Sequence, residues 1–388
     1  MIINKKLNGN ELIIKLEGRL DTNTAPELED EISDLEGIQK IIFDFEKLEY
    51  ISSSGLRLIL KCKKTVDSTK IINCNPEVFE VFNITGFSEM MEIEKAFRKI
   101  SVENCEKIGE GFYGNIYRID PETIVKVYKV PDSLDLIKRE IELAKKAFVM
   151  GIPTAIPYDI VKVGNLYGAV FELLNAKSLV NLINSDEELD IFAKKSTKIL
   201  KEMHKTEVEK GELPSRKEFI INLAKDCGKI VSEKTFKKLI ALLETIPEKN
   251  TMLHCDFHVK NIMMQNDDLL IIDMDNLSVG HPIFEFGAIY ATYEGYSCVN
   301  KHNTDEFLGM PLEVTTKLFN KMFKYYYEDK NDEELENIKL KLSIISYIQI
   351  LWLRSKYEDN TNKFQKEEIE FCKKYLTDIV EKLDTLEY

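Results

Sequence analysis

The segment HCDFHVKN, His254 to Asn261, crowds an aspartate, two histidines, a lysine and an asparagine into one short stretch. It runs on into NIMMQNDDLLIIDMD, where the polar Gln265–Asp268 separates two apolar runs, as in a β-hairpin. Pairing Met264 with Leu269 sets Asn261 opposite Ile272, beside Asp273. Two oxygen ligands then reach one spot, as a magnesium ion bridging phosphates requires. Asp256, five residues before Asn261, is placed to take a proton from an attacking hydroxyl or to orient it. A metal clamp and a positioned nucleophile are the parts that phosphoryl transfer needs. A solvated turn could use the same Asp and Asn as backbone caps, but it would not call for a hairpin ending in an aspartate after two isoleucines.

Upstream, IGEGFYGNIYRI carries Gly109, Gly111 and Gly114 between strand-like segments. Such a triplet is weak by itself. A dinucleotide fingerprint needs a helix after it, and here a strand follows. A strand–turn–strand glycine loop suits covering ATP phosphates. Twelve residues past Gly114, TIVKVYK puts Lys126 on the same strand face as Ile124 and Tyr128. That is costly unless the lysine has a partner, although an exposed strand lysine would read alike. On LIKREIELAKKAF, Ile137, Ile141, Ala144 and Phe148 make the apolar face at about 100° per residue. Glu140 falls inside the arc also bounded by Leu143 and Ala147, so it is the expected partner of Lys126, with Glu142 the alternative.

These residues need elements to hold them. Strand patterns occur at residues 105–109, 114–119 and 123–128, a helix at 133–149, two strands after Pro157 ending at Ala169–Leu174, and mostly helices beyond Ser178. The first hundred residues alternate differently. Strands are expected at 11–18, 40–45 and 71–74, and helices at 25–35, 54–64 and 76–83. That is the pattern of a small α/β domain. The boundary is placed at residues 1–100 and 101–388, with an N-lobe of about 101–175 and a C-lobe of about 176–388.

Composition limits the rest. A chain of 388 residues exceeds one ordinary core. Its 44% hydrophobic and 31% charged residues are those of a soluble protein. No apolar run approaches the roughly 20 residues of a membrane span, and the N-terminus has no signal-peptide pattern. Seven scattered cysteines without a CxxC pair fit a reducing compartment, so a cytoplasmic location is expected. A net charge of −14 disfavours nucleic acid. It serves solubility, or else an acidic cleft for a cationic substrate. Tyr290, Tyr293 and Tyr296, spaced by three on an expected helix, read as core packing, or as an aromatic wall for such a cation.

The glycine loop, Lys126, Glu140, HCDFHVKN and IIDMD, in this order, resemble the aminoglycoside phosphotransferase and choline kinase branch of the protein-kinase-like superfamily over residues 102–388. The resemblance implies an α+β bilobal fold that uses ATP and Mg2+. Lys126 would hold the α/β-phosphates, Asp256 would be the catalytic residue, and Asn261 and Asp273 would bind metal. Glu172 to Leu174 would meet adenine through backbone groups. Asp275 receives no firm role. One departure is Glu285 in GHPIFEFG, where the family usually carries aspartate to support the catalytic loop.

In the first domain, YISSSGLRLIL joins a strand to a helix. Serines there can cap free amides, and the same helix end favours an anion. EGRLDTNTA, FDFEKLEYISSSGLR and VFNITGF are similar to the STAS domains of bacterial anti-sigma-factor antagonists over residues 3–97. Their phosphoacceptor serine aligns with Ser53. Regulated members carry aspartate just before it, and here Ser52 stands there. The expected whole is an α/β STAS-like domain followed by a kinase-like domain that phosphorylates a small-molecule hydroxyl, with a protein partner on the STAS-like part. Two alternatives remain: a protein kinase acting on a STAS serine, and a nucleotide-sensing pseudokinase scaffold.

Overall fold

Alternating apolar residues in ELIIKLEGRL bury Leu12, Ile14, Leu16 and Leu20, which makes Glu11–Leu20 a strand with one face in a core. The computed structural model describes residues 1–111, 113–357 and 362–388. These form two compact units, residues 1–101 with 160–164, and residues 102–159 with 165–388.

In the first unit, β1 (Ile2–Asn8), β2 (Glu11–Leu20), β3 (Lys40–Ile51), β4 (Ser68–Cys74) and β5 (Glu92–Lys95) form one sheet in chain order. β1 is antiparallel to β2, and the other neighbours are parallel. Parallel neighbours need crossovers. These are α1 (Ala25–Glu31), α2 (Ser53–Thr65), and α3 (Pro76–Ile84) with α4 (Phe87–Met90). α1 is shorter than its sequence pattern suggests, because Ile32 leaves helical geometry at φ −115, ψ 17. At the start of α2 the Ser52 hydroxyl accepts the Gly55 N–H, and Ser53 is exposed. A Cβ at Gly55 would lie 2.8 Å from Ile51 and Leu20, so this helix end demands glycine. β6 (Arg98–Ile100) closes the unit.

The second unit opens with antiparallel strands β7 (Glu106–Glu110), β8 (Gly114–Arg118) and β9 (Thr123–Tyr128), followed by α5 (Leu134–Val149). β10 (Pro157–Val163) has its end in the first unit, where Val161–Val163 pair in parallel with Arg98–Ile100. β11 (Leu166–Glu172) pairs antiparallel with β9. Beyond β12 (Lys177–Ser178) come α6 (Asp186–Met203), α7 (Arg216–Asp226) and α8 (Glu233–Glu244). Four short strands follow: β13 (Met252–Leu253), β14 (Ile262–Gln265), β15 (Asp268–Ile271) and β16 (Ser278–Val279). The chain ends in α9 (Pro282–Tyr293), α10 (Asn303–Leu308), α11 (Leu312–Tyr326), α12 (Asp332–Lys356) and α13 (Gln365–Val380). α9 is buried almost all round, as a central core helix must be.

Candidate active site

Lys126 lies on β9, and its ammonium is 2.8 Å from Glu140 Oε1 on α5. The pair is buried, with Glu140 only 4% exposed. Glu142 points outward and bridges Lys146 at 3.0 Å. The same ammonium is 3.5 Å from Asp273 Oδ1 and 3.6 Å from Asp275 Oδ2. Burial works against the charge on Lys126, but the three carboxylates outweigh it and raise its pKa. Burial, together with Asp275 and Asp273, pushes the Glu140 carboxyl up to about 8 despite Lys126.

β14 and β15 pair Met264 with Leu269 through a turn at Asn266 and Asp267, both at positive φ. That conformation gives the turn the twist of the strands it joins. The Ile272 N–H then donates to the Asn261 carbonyl at 2.9 Å, which sets Asn261 beside the segment leading into Asp273. Asp273 is itself left-handed, at φ 67 and ψ 70. A non-glycine residue held there costs about 1–3 kcal/mol, and such residues gather at functional sites.

The loop from His254 to Asn261 is held from three sides. The His254 ring accepts the Asp256 N–H at Nδ1 (3.2 Å), which leaves Nε2 to donate to the Ile272 carbonyl (3.2 Å). Asn261 Nδ2 donates to Asp256 Oδ2 at 3.0 Å and to the Asp256 carbonyl at 3.1 Å. Glu285 on α9 accepts the N–H groups of His254 (2.6 Å) and Cys255 (3.0 Å). The glutamate in place of aspartate therefore still supports the loop. His204 lies 3.7 Å from Glu285 and its Nδ1 is 2.7 Å from Tyr326 OH, buried as a core histidine. Burial raises the Asp256 carboxyl to about 6, helped by Asp273 and opposed by His254, Asn261 and Arg216. His258 is buried, with Nε2 3.5 Å from Asp256 Oδ1, and burial lowers its pKa to about 4.

The donor set suits a hard divalent cation. Oxygens of Glu140, Asp273 and Asp275 lie within 4.8 Å of one another. Glu140 Oε2 and Asp275 Oδ1 are buried without hydrogen-bond partners. Each would gain from a cation that accepts carboxylate oxygen.

Gly109 lies in β7, Gly114 opens β8, and Gly111 lies between the two strands. The Gly111 N–H donates to the Gly114 carbonyl at 2.8 Å. A Cβ at Gly114 would come within 2.6 Å of the Val127 carbonyl, one residue from Lys126, so no larger residue fits. Glu172 ends β11, but its N–H is bonded to the Ile156 carbonyl (2.9 Å) and that of Leu173 to the Glu122 carbonyl (2.7 Å). The backbone groups available for a base thus narrow to carbonyls and Leu174. Ser53 lies in the other unit.

The tyrosine stripe resolves differently from its sequence spacing. Tyr293 is fully buried, and Tyr290 packs on Phe319 and Tyr347. α9 ends at Tyr293, so Tyr296 stands apart on the 3-10 turn Gly295–Ser297. Phe307 and Lys260 escaped the sequence reading. The Phe307 ring meets His258 edge-on at 5.5 Å, and Lys260 Nζ lies 5.4 Å from that ring. Only the position of Lys260, next to Asn261, could have drawn notice.

A family model described as a phosphotransferase enzyme family matches residues 104–299. A STAS domain model matches residues 2–100. A Bordetella bronchiseptica protein designated an anti-sigma factor antagonist, BtrV, is 33% identical over 88 residues, 21% of this chain and 76% of that protein. Among solved structures, the ADP-bound aminoglycoside phosphotransferase APH(2'')-Ib covers 79% of this chain and 99% of its own, at 16% identity and TM-score 0.50. A thermostable mutant of APH(4)-Ia, in ternary complex with ADP and hygromycin B, covers 78% and 97%, at 12% identity and TM-score 0.51. At such identities these two structures speak for the fold. Among the described residues, no helix is long and apolar enough to cross a membrane.

Proposed function

We propose that this chain, which belongs to the phosphotransferase enzyme family and carries an N-terminal STAS domain, moves the γ-phosphoryl group of ATP to a hydroxyl of a small molecule with Mg2+ present. The observation that carries the reading is the convergence of Lys126, Glu140 and Asp273 with a loop that aims Asp256 from the adjoining turn. In this reading Lys126, fixed by Glu140, binds the α/β-phosphates under the loop of Gly109, Gly111 and Gly114. The carbonyl of Glu172 and the backbone of Leu174 meet adenine. Asn261 and Asp273 hold the metal, with the open oxygens of Asp275 and Glu140 beside them. Bound there, magnesium neutralises phosphate charge. Asp256 Oδ2 is fixed by Asn261, so its carboxylate can orient the acceptor hydroxyl and take its proton. The acceptor O–H bond breaks, its oxygen bonds to the γ-phosphorus, and ADP leaves with the bridging oxygen.

The STAS domain then serves as a docking or regulatory module for a protein partner, as the BtrV likeness suggests. A cytoplasmic location accords with the free cysteines. The test is magnesium-dependent ADP release across a panel of hydroxyl compounds, run beside a nucleotide thermal shift. Absence of both sinks the proposal.

One observation favours a second reading. Ser53 is exposed at the start of α2, with Ser52 acting as the cap. Such a hydroxyl is open to modification by a protein kinase, this one included. Mass spectrometry of the Ser52–Ser54 peptide after incubation with ATP decides it. An unmodified peptide in every condition rejects it.

A further inference from the structure

Beside the Asp256 carboxylate lie side chains that the phosphotransferase reading gives no role. From Asp256 Oδ1 the path runs 3.5 Å to His258 Nε2, then across the His258 ring to Phe307 at 5.5 Å, then to Lys260 Nζ at 5.4 Å. Phe307 is 47% exposed although it is among the most apolar side chains. Lys260 is exposed and forms no ion pair within 4.0 Å among the described residues. Its ammonium is positioned instead by the ring face, an attraction suited to a cation.

The chain has 67 acidic against 53 basic residues, so a lysine with no acidic partner stands out. Arg216 is buried, bonded to the amide of Gln349 (3.1 Å) rather than to a carboxylate, and its field reaches Asp256. Arg354 approaches the Tyr296 ring at 5.2 Å, but its charge is met by Glu368 at 2.8 Å. Asp305 and Glu306, next to Phe307 in sequence, keep their negative charges, with the His302 ring at 3.1 Å and the Asn300 amide at 3.5 Å as partners. The charged group that lies over the Phe307 ring is nevertheless a cation, Lys260. A polyamine sugar would meet Lys260 as a like charge. An acid would meet a free ammonium.

We propose that Lys260 and Phe307 form the acceptor subsite, and that the acceptor is a small hydroxyl compound carrying a carboxylate or phosphate group. The acidic group pairs with Lys260, the carbon skeleton covers Phe307, and the hydroxyl reaches Asp256. This deepens the phosphotransferase reading above and rests on it.

The full chain is assayed with Mg-ATP on matched pairs: glycerate against glycerol, gluconate against glucose, phosphoserine against serine, with hygromycin B as the cationic comparison. At least one acid should exceed its neutral partner and hygromycin B by about tenfold or more in kcat/KM. Lys260→Met should raise KM for that acid by about tenfold, with kcat and the nucleotide thermal shift nearly unchanged, and Lys260→Arg should recover most of the loss. Phe307→Ala should raise the same KM. Equal use of a neutral alcohol or of hygromycin B overturns the proposal. So does an unchanged KM in Lys260→Met, phosphate appearing only on the chain's own serine, or no acid being phosphorylated by protein that binds Mg-ATP. Protein that neither binds nor turns over nucleotide rejects the phosphotransferase reading itself, and this subsite with it.

Discussion

The Glu285 carboxylate accepts the backbone N–H groups of both His254 and Cys255, at 2.6 and 3.0 Å, so a core helix grips the loop that carries Asp256. Cys255 sits between His254 and Asp256 at φ 60, a conformation that β-carbon residues resist. The glutamate holds that turn in place.

Glu285→Leu should therefore cost about 2–4 kcal/mol of stability, because two buried N–H groups lose their acceptor. It should lower kcat more than it raises either KM. Burial raises the Glu285 carboxyl, but His204, His254 and the Cys255 amide win and hold it below its ordinary value. A depressed folded-state pKa gives stability that is present above the unfolded value and is lost as pH falls through the folded one. Denaturant melts should then show less acid sensitivity in the variant than in the parent. Equal melts at neutral pH would refute the assignment.

Asp256 should impose an acidic limb on the reaction. Burial sets its carboxyl at about 6, and only the ionised form can take the acceptor proton. For the free enzyme, kcat/KM for the acceptor should rise with pH through about 6 and then level. Asp256→Asn should lose about 10²–10⁴-fold and abolish the limb. A flat profile from pH 5 to 8 in the parent speaks against this role.

Asp273→Asn and Ser53→Ala should separate the two parts of the chain. The first removes a carboxylate from the cluster with Glu140 and Asp275. It should weaken Mn2+ binding by calorimetry and lose most turnover. The second changes an exposed hydroxyl in the other unit, so basal turnover of a small molecule should persist. Equal losses from both would contradict the separation.

Much of this arrangement was legible because local patterns set it. Helix phase puts Glu140 among Ile137, Ile141 and Ala144, and leaves Glu142 outside, paired with Lys146. Two turn residues that tolerate positive φ, Asn266 and Asp267, fix the register that sets Asn261 opposite Ile272. Tertiary effects were not legible. α9 stops after Tyr293 because Glu294 turns to φ −134, ψ −47, and that takes Tyr296 off the tyrosine stripe. Phe307 meets His258 only through the packing of α10, 49 residues away in sequence, and no periodicity announces such a contact. The spent N–H of Glu172 depends on Ile156, before β10, which strand patterning does not locate.

Glu140 supplies a test that needs no substrate. Burial and the neighbouring Asp275 and Asp273 carboxylates lift its carboxyl from an ordinary 4.5 to about 8, against the pull of Lys126. Asp275 moves in the same sense, from 3.8 to about 6, through burial and Asp273. For a group raised on folding, the folded state binds more protons between the two values. Its stabilising contribution is complete below the unfolded pKa and is lost as pH rises through the folded one. Without metal or nucleotide, the thermal midpoint should fall from about pH 6.5 to pH 8, above the range in which the buried neutral His258 works in the opposite sense. Glu140→Gln keeps the size and removes the titration, so it should flatten that slope, whereas Glu140→Ala also removes the acceptor of the Lys126 ammonium and should raise KM for ATP several-fold. A variant as pH-sensitive as the parent over this range would show that the crowded carboxylates around Lys126 do not govern the stability of the site.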